Sequence, residues 1–153
     1  MGYTHYWRLD LRRKTSSEIE KKYQQAILEC QRVVRAIAVD NQKLYHSTCL
    51  SGYTAHAKIG QYGGLKINGK GADACEDFIM REHFAENEAF GCCKTGRGHY
   101  DFAVVACLAI LKYRLGDAIT VTSDGNYEDW VLPVEYAARK LRRKISFELR
   151  RVR

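Results

Sequence analysis

Along residues 2–10 apolar and polar side chains alternate, with Tyr3, His5, Trp7 and Leu9 on one face, and this period of two predicts a first strand. The period then changes. Ser17 with Glu20 three positions later forms a capping box, and Ile19, Tyr23, Ala26, Ile27, Cys30, Val33, Val34 and Ile37 recur at helical spacing to about Ala38. Over residues 40–63 neither period holds, and a long connection is expected. Residues 64–68 and 76–82 are two short strand candidates around an Asn-Gly-Lys-Gly-Ala-Asp turn. The Gly-rich, basic stretch 90–99 reads as a loop. Residues 100–115 are almost wholly apolar over three turns and predict a central helix, stopped by Gly116. Residues 118–123 form a β-branched strand closed by Asp124-Gly125, and Pro133 opens a third helix.

The order β-α-β-β-α-β-α predicts a single α+β domain. The simplest arrangement is a split βαβ, ferredoxin-like layout with an added C-terminal helix. Residues 1–136 form the expected core, and 137–153 a basic helix or tail packed on it or extending from it.

Composition narrows the class. Of 153 residues, 46% are hydrophobic and 28% charged, as in a folded globular chain. The longest strongly apolar run, 102–111, is about half of the ~20 residues a membrane helix needs. No secretory pattern opens the chain, so a cytoplasmic location and no membrane partner are expected. Six cysteines are scattered without a Cys-x-x-Cys pair, and Cys92 and Cys93 are adjacent, which predicts free thiols and no metal. The net charge of +7 is local. Residues 137–153 hold eight Lys and Arg against Glu148 alone, so the rest of the chain is neutral. This tail offers phosphate contacts to nucleic acid or a surface for a host protein, or it is simply a solvated helix face.

Three segments carry chemistry. Residues 93–101, Cys-Lys-Thr-Gly-Arg-Gly-His-Tyr-Asp, end on the start of the central helix. Lys94, Thr95 and Arg97 between glycines, before unpaired helical N–H groups, are the recipe for a phosphate or carboxylate site. The alternative is a solvated loop capped by Thr95 or Asp101. Residues 123–130, Ser-Asp-Gly-Asn-Tyr-Glu-Asp-Trp, follow a strand, and Ser123 with the carboxylates Asp124, Glu128 and Asp129 can hold a divalent cation, orient a ribose, accept protons or simply make a turn. His5, Tyr6 and Trp7 on the first strand can line a pocket or sit in the core.

The blocks GYTHYW near the start, CKTGRGHYD in the middle and SDGNYEDW later, in that order, resemble a family of small phage and prophage proteins of uncharacterised function. The resemblance runs to about Trp130. It implies shared motif positions at His5, Tyr6, Trp7, Cys93, Lys94, Thr95, Arg97, Tyr100, Asp101, Ser123, Asp124, Gly125, Asp129 and Trp130, and a viral setting in the host cytoplasm. Polar motifs without a packing period are poorly explained by the core alone. The expected function is therefore a phage accessory protein, without a cofactor, that binds a phosphate-bearing small molecule such as a nucleotide or nucleotide-derived signal and so counters host defence. Lys94, Thr95 and Arg97 are expected at phosphate, Asp124 or Asp129 at a ribose hydroxyl, and Tyr6, Trp7 or Trp130 against a base. Tyr100 and Asp101 complete the expected site. A nucleic-acid or protein inhibitor acting through the tail and a metal-dependent phosphodiesterase on Asp124, Asp129 and His5 are the alternatives; an oligomer is compatible with each.

Overall fold

The computed structural model describes residues 2–46, 50–51, 64–147 and 150–151. The molecule is α+β, with three long helices and two small sheets among the described residues. The chain runs β1 (Thr4–Leu9), α1 (Ser17–Tyr45), β2 (Leu50–Ser51), β3 (Leu65–Gly69), β4 (Phe78–Met80), β5 (Phe90–Lys94), α2 (Asp101–Leu115), β6 (Ile119–Ser123), α3 (Tyr127–Leu141) and β7 (Arg150–Arg151). Among the described residues no helix is long and apolar enough to cross a membrane.

The main sheet has the order β5-β1-β6-β7. β1 is antiparallel to both neighbours, with His5 opposite Cys93 on one side and Ser123 on the other. β5 and β6 therefore run parallel to each other, joined by α2, with β1 inserted between them. This is a split βαβ unit. It is built from different strands than the sequence suggests, because β3 and β4 pair with each other and with β2 in a separate sheet. β7 adds to β6 in parallel after α3.

The helices follow their patterns, with shifted ends. Ser16, one residue before the expected cap, accepts the Ile19 N–H at 3.2 Å and starts α1. α1 continues past Ala38 to Tyr45, helped by Asp40, which accepts a hydrogen bond from Tyr136 on α3 at 2.6 Å and pairs with Lys140 at 3.4 Å. The expected connection over 40–63 thus begins as helix, and most of its remainder lies outside the described residues. α2 is buried on nearly every face, from Ala103 to Leu111, between α1, α3 and β6. α3 starts at Tyr127 rather than near Pro133, because Asn126 and Asp129 form a reciprocal capping box. The expected boundary at 136/137 consequently falls inside α3, whose Ala137 and Leu141, with Ile145 beyond, are buried in the core.

Candidate functional site

Residues 90–99, read from sequence as a loop, are strand β5 followed by a tight turn. β5 is fixed by β1: Gly91 lies opposite Trp7, whose indole covers the space a Cβ would need. After Lys94, the amides of Thr95 and Gly96 both donate to the Tyr3 carbonyl, at 3.0 and 3.2 Å. Gly96 and Arg97 then take positive φ, +59° and +60°, turning the chain back over β1 before α2 begins. Tyr100 anchors the turn from below, its buried hydroxyl donating to the Glu76 carbonyl at 2.7 Å.

The result is a convergence at one end of the main sheet. β5 and β6 both finish there, and the helices that follow them, α2 and α3, both begin there. Two helix N-termini add positive potential at the same end. Each holds an acidic side chain in its first turn, Asp101 on α2 and Asp129 on α3.

His5 is the hub, with no exposed surface. Its Nε2 lies 2.6 Å from Asp101 Oδ1 and its Nδ1 lies 2.8 Å from Ser123 Oγ. The Thr95 hydroxyl donates to the same Asp101 oxygen at 2.6 Å. Ser123 Oγ also accepts the Gly125 N–H at 2.9 Å. One proton arrangement satisfies every member. Nε2–H donates to the Asp101 carboxylate, and Nδ1 accepts the Ser123 hydroxyl proton. Order and burial resemble a Ser-His-Asp relay, but Ser123 is wholly buried, so the relay as it stands orders the site rather than presenting a nucleophile.

Aromatic rings enclose this hub. Tyr3 and Trp130 stand edge-on to the imidazole at 5.2 and 5.6 Å. The Arg97 guanidinium covers the Tyr3 ring at 3.9 Å and reaches Asp129 Oδ1 at 3.3 Å. Asp129 Oδ2 meanwhile accepts the Asn126 N–H at 2.9 Å. Among the described residues Tyr3 Oη and Trp130 Nε1 are buried without hydrogen-bond partners. Ser123 lies near the phenol and opposes the rise in its pKa, but the two side chains are not in hydrogen-bond geometry. Burial, together with the Asp101 and Asp129 carboxylates, pushes the Tyr3 phenol up to about 12. It is therefore a neutral O–H donor at neutral pH, and the indole is a donor by nature. Unsatisfied buried donors are uncommon enough in folded proteins to call for an explanation.

The sequence-predicted residues thus divide. His5, Thr95, Arg97, Asp101, Ser123, Asp129 and Trp130 meet around the imidazole. Tyr100 supports the turn, and Asp124 closes the β1–β6 ladder, its Oδ2 accepting the Thr4 N–H at 3.0 Å. Lys94 and Tyr6 leave the opposite face of the sheet, as the period of two requires: Thr4 pairs with Lys94 and Tyr6 with Cys92, one step out of phase with His5. Trp7 shares the His5 face but packs edge-on against Phe78 at 5.3 Å, inside the core. The same alternation sends Cys92 to the surface and Cys93 inward, where burial pushes its thiol up to about 12. Sequence reasoning missed Tyr3 and Gly125 as site members. The available signal was Tyr3's position two residues before His5 on the same strand face.

Comparison with protein-family models, with curated proteins and with solved structures finds no match to this chain.

Proposed function

We propose that this protein binds a phosphate-bearing small molecule, a nucleotide or nucleotide-derived signal, at the joint end of β5 and β6. The observation that carries the reading is the convergence of all three motif blocks on one buried hub beneath Arg97, at the meeting of two strand ends and two helix N-termini. Arg97 is the phosphate contact. Its side chain is 61% exposed and its bond to Asp129 is long, so exchanging that carboxylate for a phosphate costs little, whereas a bidentate contact to phosphate is strong. Movement of Arg97 uncovers Tyr3, whose unpartnered hydroxyl then has an acceptor. Asp129, once released, is free to take a ribose hydroxyl.

Base stacking falls to Tyr127 rather than Trp130. Trp130 is 2% exposed and stacks on Phe147 at 5.8 Å, while Tyr127 also stacks on Phe147, at 5.3 Å, and is 62% exposed. The phage resemblance supplies a setting, a viral accessory protein that sequesters a host-defence messenger in the host cytoplasm. A metal-dependent phosphodiesterase on Asp124, Asp129 and His5 draws less support, because both ring nitrogens of His5 and one oxygen of Asp124 are already hydrogen-bonded within the protein.

Native mass spectrometry of the protein purified from infected cells, followed by calorimetry, tests the reading. A nucleotide-sized adduct is expected, and Arg97→Ala should weaken its binding by about 1.5–3 kcal/mol, the range for a hydrogen bond to a charged group. Arg97→Lys should recover only part of this, since an ammonium cannot reproduce a bidentate contact. Wild-type affinity in the Ala variant, or no binding across a panel of linear and cyclic nucleotides, would overturn the proposal.

A further inference from the structure

A second surface lies at the far end of α2, about 20 Å from His5 by the rise of a 15-residue helix. Its centre is Glu29, a nearly buried carboxylate on α1. Arg114 grips it with two parallel bonds, Nε to Oε1 at 2.7 Å and Nη2 to Oε2 at 2.9 Å. Arg143, just past α3, reaches the same Oε2 at 2.9 Å. One acid thus fixes two guanidinia from two other elements and leaves the cluster net positive. Glu29 acts as a positioning residue.

Two hollows meet at Arg114. One, of about 400 Å³, is lined by Glu29, Arg114, Arg32 and Arg35. Among the described residues Arg32 and Arg35 have no carboxylate partner. The other, of about 590 Å³, is lined by Arg12, Arg13, Lys22, Tyr113 and Arg114 and also by Glu18 and Asp117. Its cations are already paired: Arg12 and Arg13 with Asp10, Arg13 also with Asp117, and Lys22 with Glu18. Tyr113 lines the second hollow beside Arg114, 41% exposed, with the Arg114 and Arg143 guanidinia 5.7 and 5.9 Å from its ring centre. Arg142 and Lys144 flank Arg143 on the exposed side.

We infer that this surface binds single-stranded nucleic acid, its phosphates tracking Arg32, Arg35 and the exposed Arg142 and Lys144, and one base stacking on Tyr113. Positive charge alone would suit any polyanion. An exposed aromatic ring framed by guanidinia suits a polyanion whose repeating units carry flat rings, and such binding combines backbone contacts with sequence-tolerant stacking. A duplex keeps its bases stacked on one another, so Tyr113 selects for the single strand.

The test is fluorescence anisotropy of the full chain with a labelled single-stranded oligonucleotide, the matching duplex, and heparin as competitor, from about 50 to about 200 mM salt. The single strand should bind more tightly than the duplex. Tyr113→Ala should weaken it by about 5- to 150-fold, and Tyr113→Trp should retain binding. Arg32→Ala and Arg35→Ala should each reduce the magnitude of the salt slope by about 0.7. Circular dichroism confirms that each variant folds. Equal binding of strand, duplex and heparin with no effect of Tyr113→Ala would overturn the inference. So would the absence of oligonucleotide binding, including the case in which an acidic protein is captured instead.

Discussion

Arg97 holds a left-handed backbone, φ +60°, that costs an L-residue about 1–2 kcal/mol and costs glycine almost nothing. What keeps it there is its side chain, stacked on Tyr3 and paired with Asp129. Both Arg97→Ala and Arg97→Gly remove those contacts, but only the glycine relieves the backbone. In urea unfolding Arg97→Gly should be the more stable of the two by about 1 kcal/mol; equal stability would mean that the turn relaxes to an ordinary conformation. Gly125 poses the converse case. A Cβ there would run into Tyr3 Oη and come within 3.1 Å of Asp129 Oδ2. Gly125→Ala should therefore destabilise by about 1–3 kcal/mol, and adding Tyr3→Phe should recover most of it; a purely additive double variant would show that the two do not touch. Tyr3 also gives a pH signature. Its folded pKa of about 12 lies above the ordinary phenol value of 10, so its contribution is complete below pH 10 and lost as pH rises towards 12. Stability of Tyr3→Phe should fall less steeply than wild type across that window. At this scale the sequence singled out polar residues that the fold brings together around His5, because their motifs had no packing period. It could not separate Lys94 from Thr95, because that needs the strand phase, and β5 did not look like a strand.

β5 was illegible for a reason at the next scale. Phe-Gly-Cys-Cys-Lys has little intrinsic strand preference, and its structure comes from pairing with β1, where Gly91 makes room for Trp7. By contrast α1 and α2 were readable, since burial of one stripe or of all sides leaves its period in the sequence. The end of α1 was not, because its last turns are held by Tyr136 and Lys140 on α3, a tertiary cause with no local mark. The junction of β1, β6 and α2 can be tested through Asp101. As an acid at a helix N-terminus it should contribute about 0.3–1 kcal/mol. As the acceptor for both buried His5 and Thr95 it does more, because its removal leaves a buried imidazole N–H without a partner. Asp101→Ala should cost about 2–4 kcal/mol by chemical denaturation, and a loss below about 1 kcal/mol would reduce Asp101 to an ordinary helix-start residue.

For the molecule as a whole, the charge count and the fold divide the C-terminal region differently. All of the net +7 lies in residues 137–153, which from sequence suggests a basic appendage that could be cut away. The fold runs through that boundary. Ala137, Leu141 and Ile145 are core residues, and Arg143 is tied to Glu29 on α1. Each large aliphatic side chain removed from a core typically costs 2–5 kcal/mol, so losing Leu141 and Ile145 together takes most of the ~5–15 kcal/mol that holds an ordinary domain. A chain ending at 136 should therefore lack cooperative unfolding at room temperature. One ending at 147 retains every described core side chain and gives up only β7, a two-residue edge strand. It also loses Arg150, Arg151 and Arg153 with Glu148, which lowers the net charge by two to +5. It should unfold cooperatively, with a midpoint close to that of the full chain. Circular dichroism melts of the two truncations decide the matter: if the chain ending at 136 melts like the full-length protein, the C-terminal end of α3 belongs to a tail after all, and the packing of Leu141 and Ile145 adds nothing to the fold.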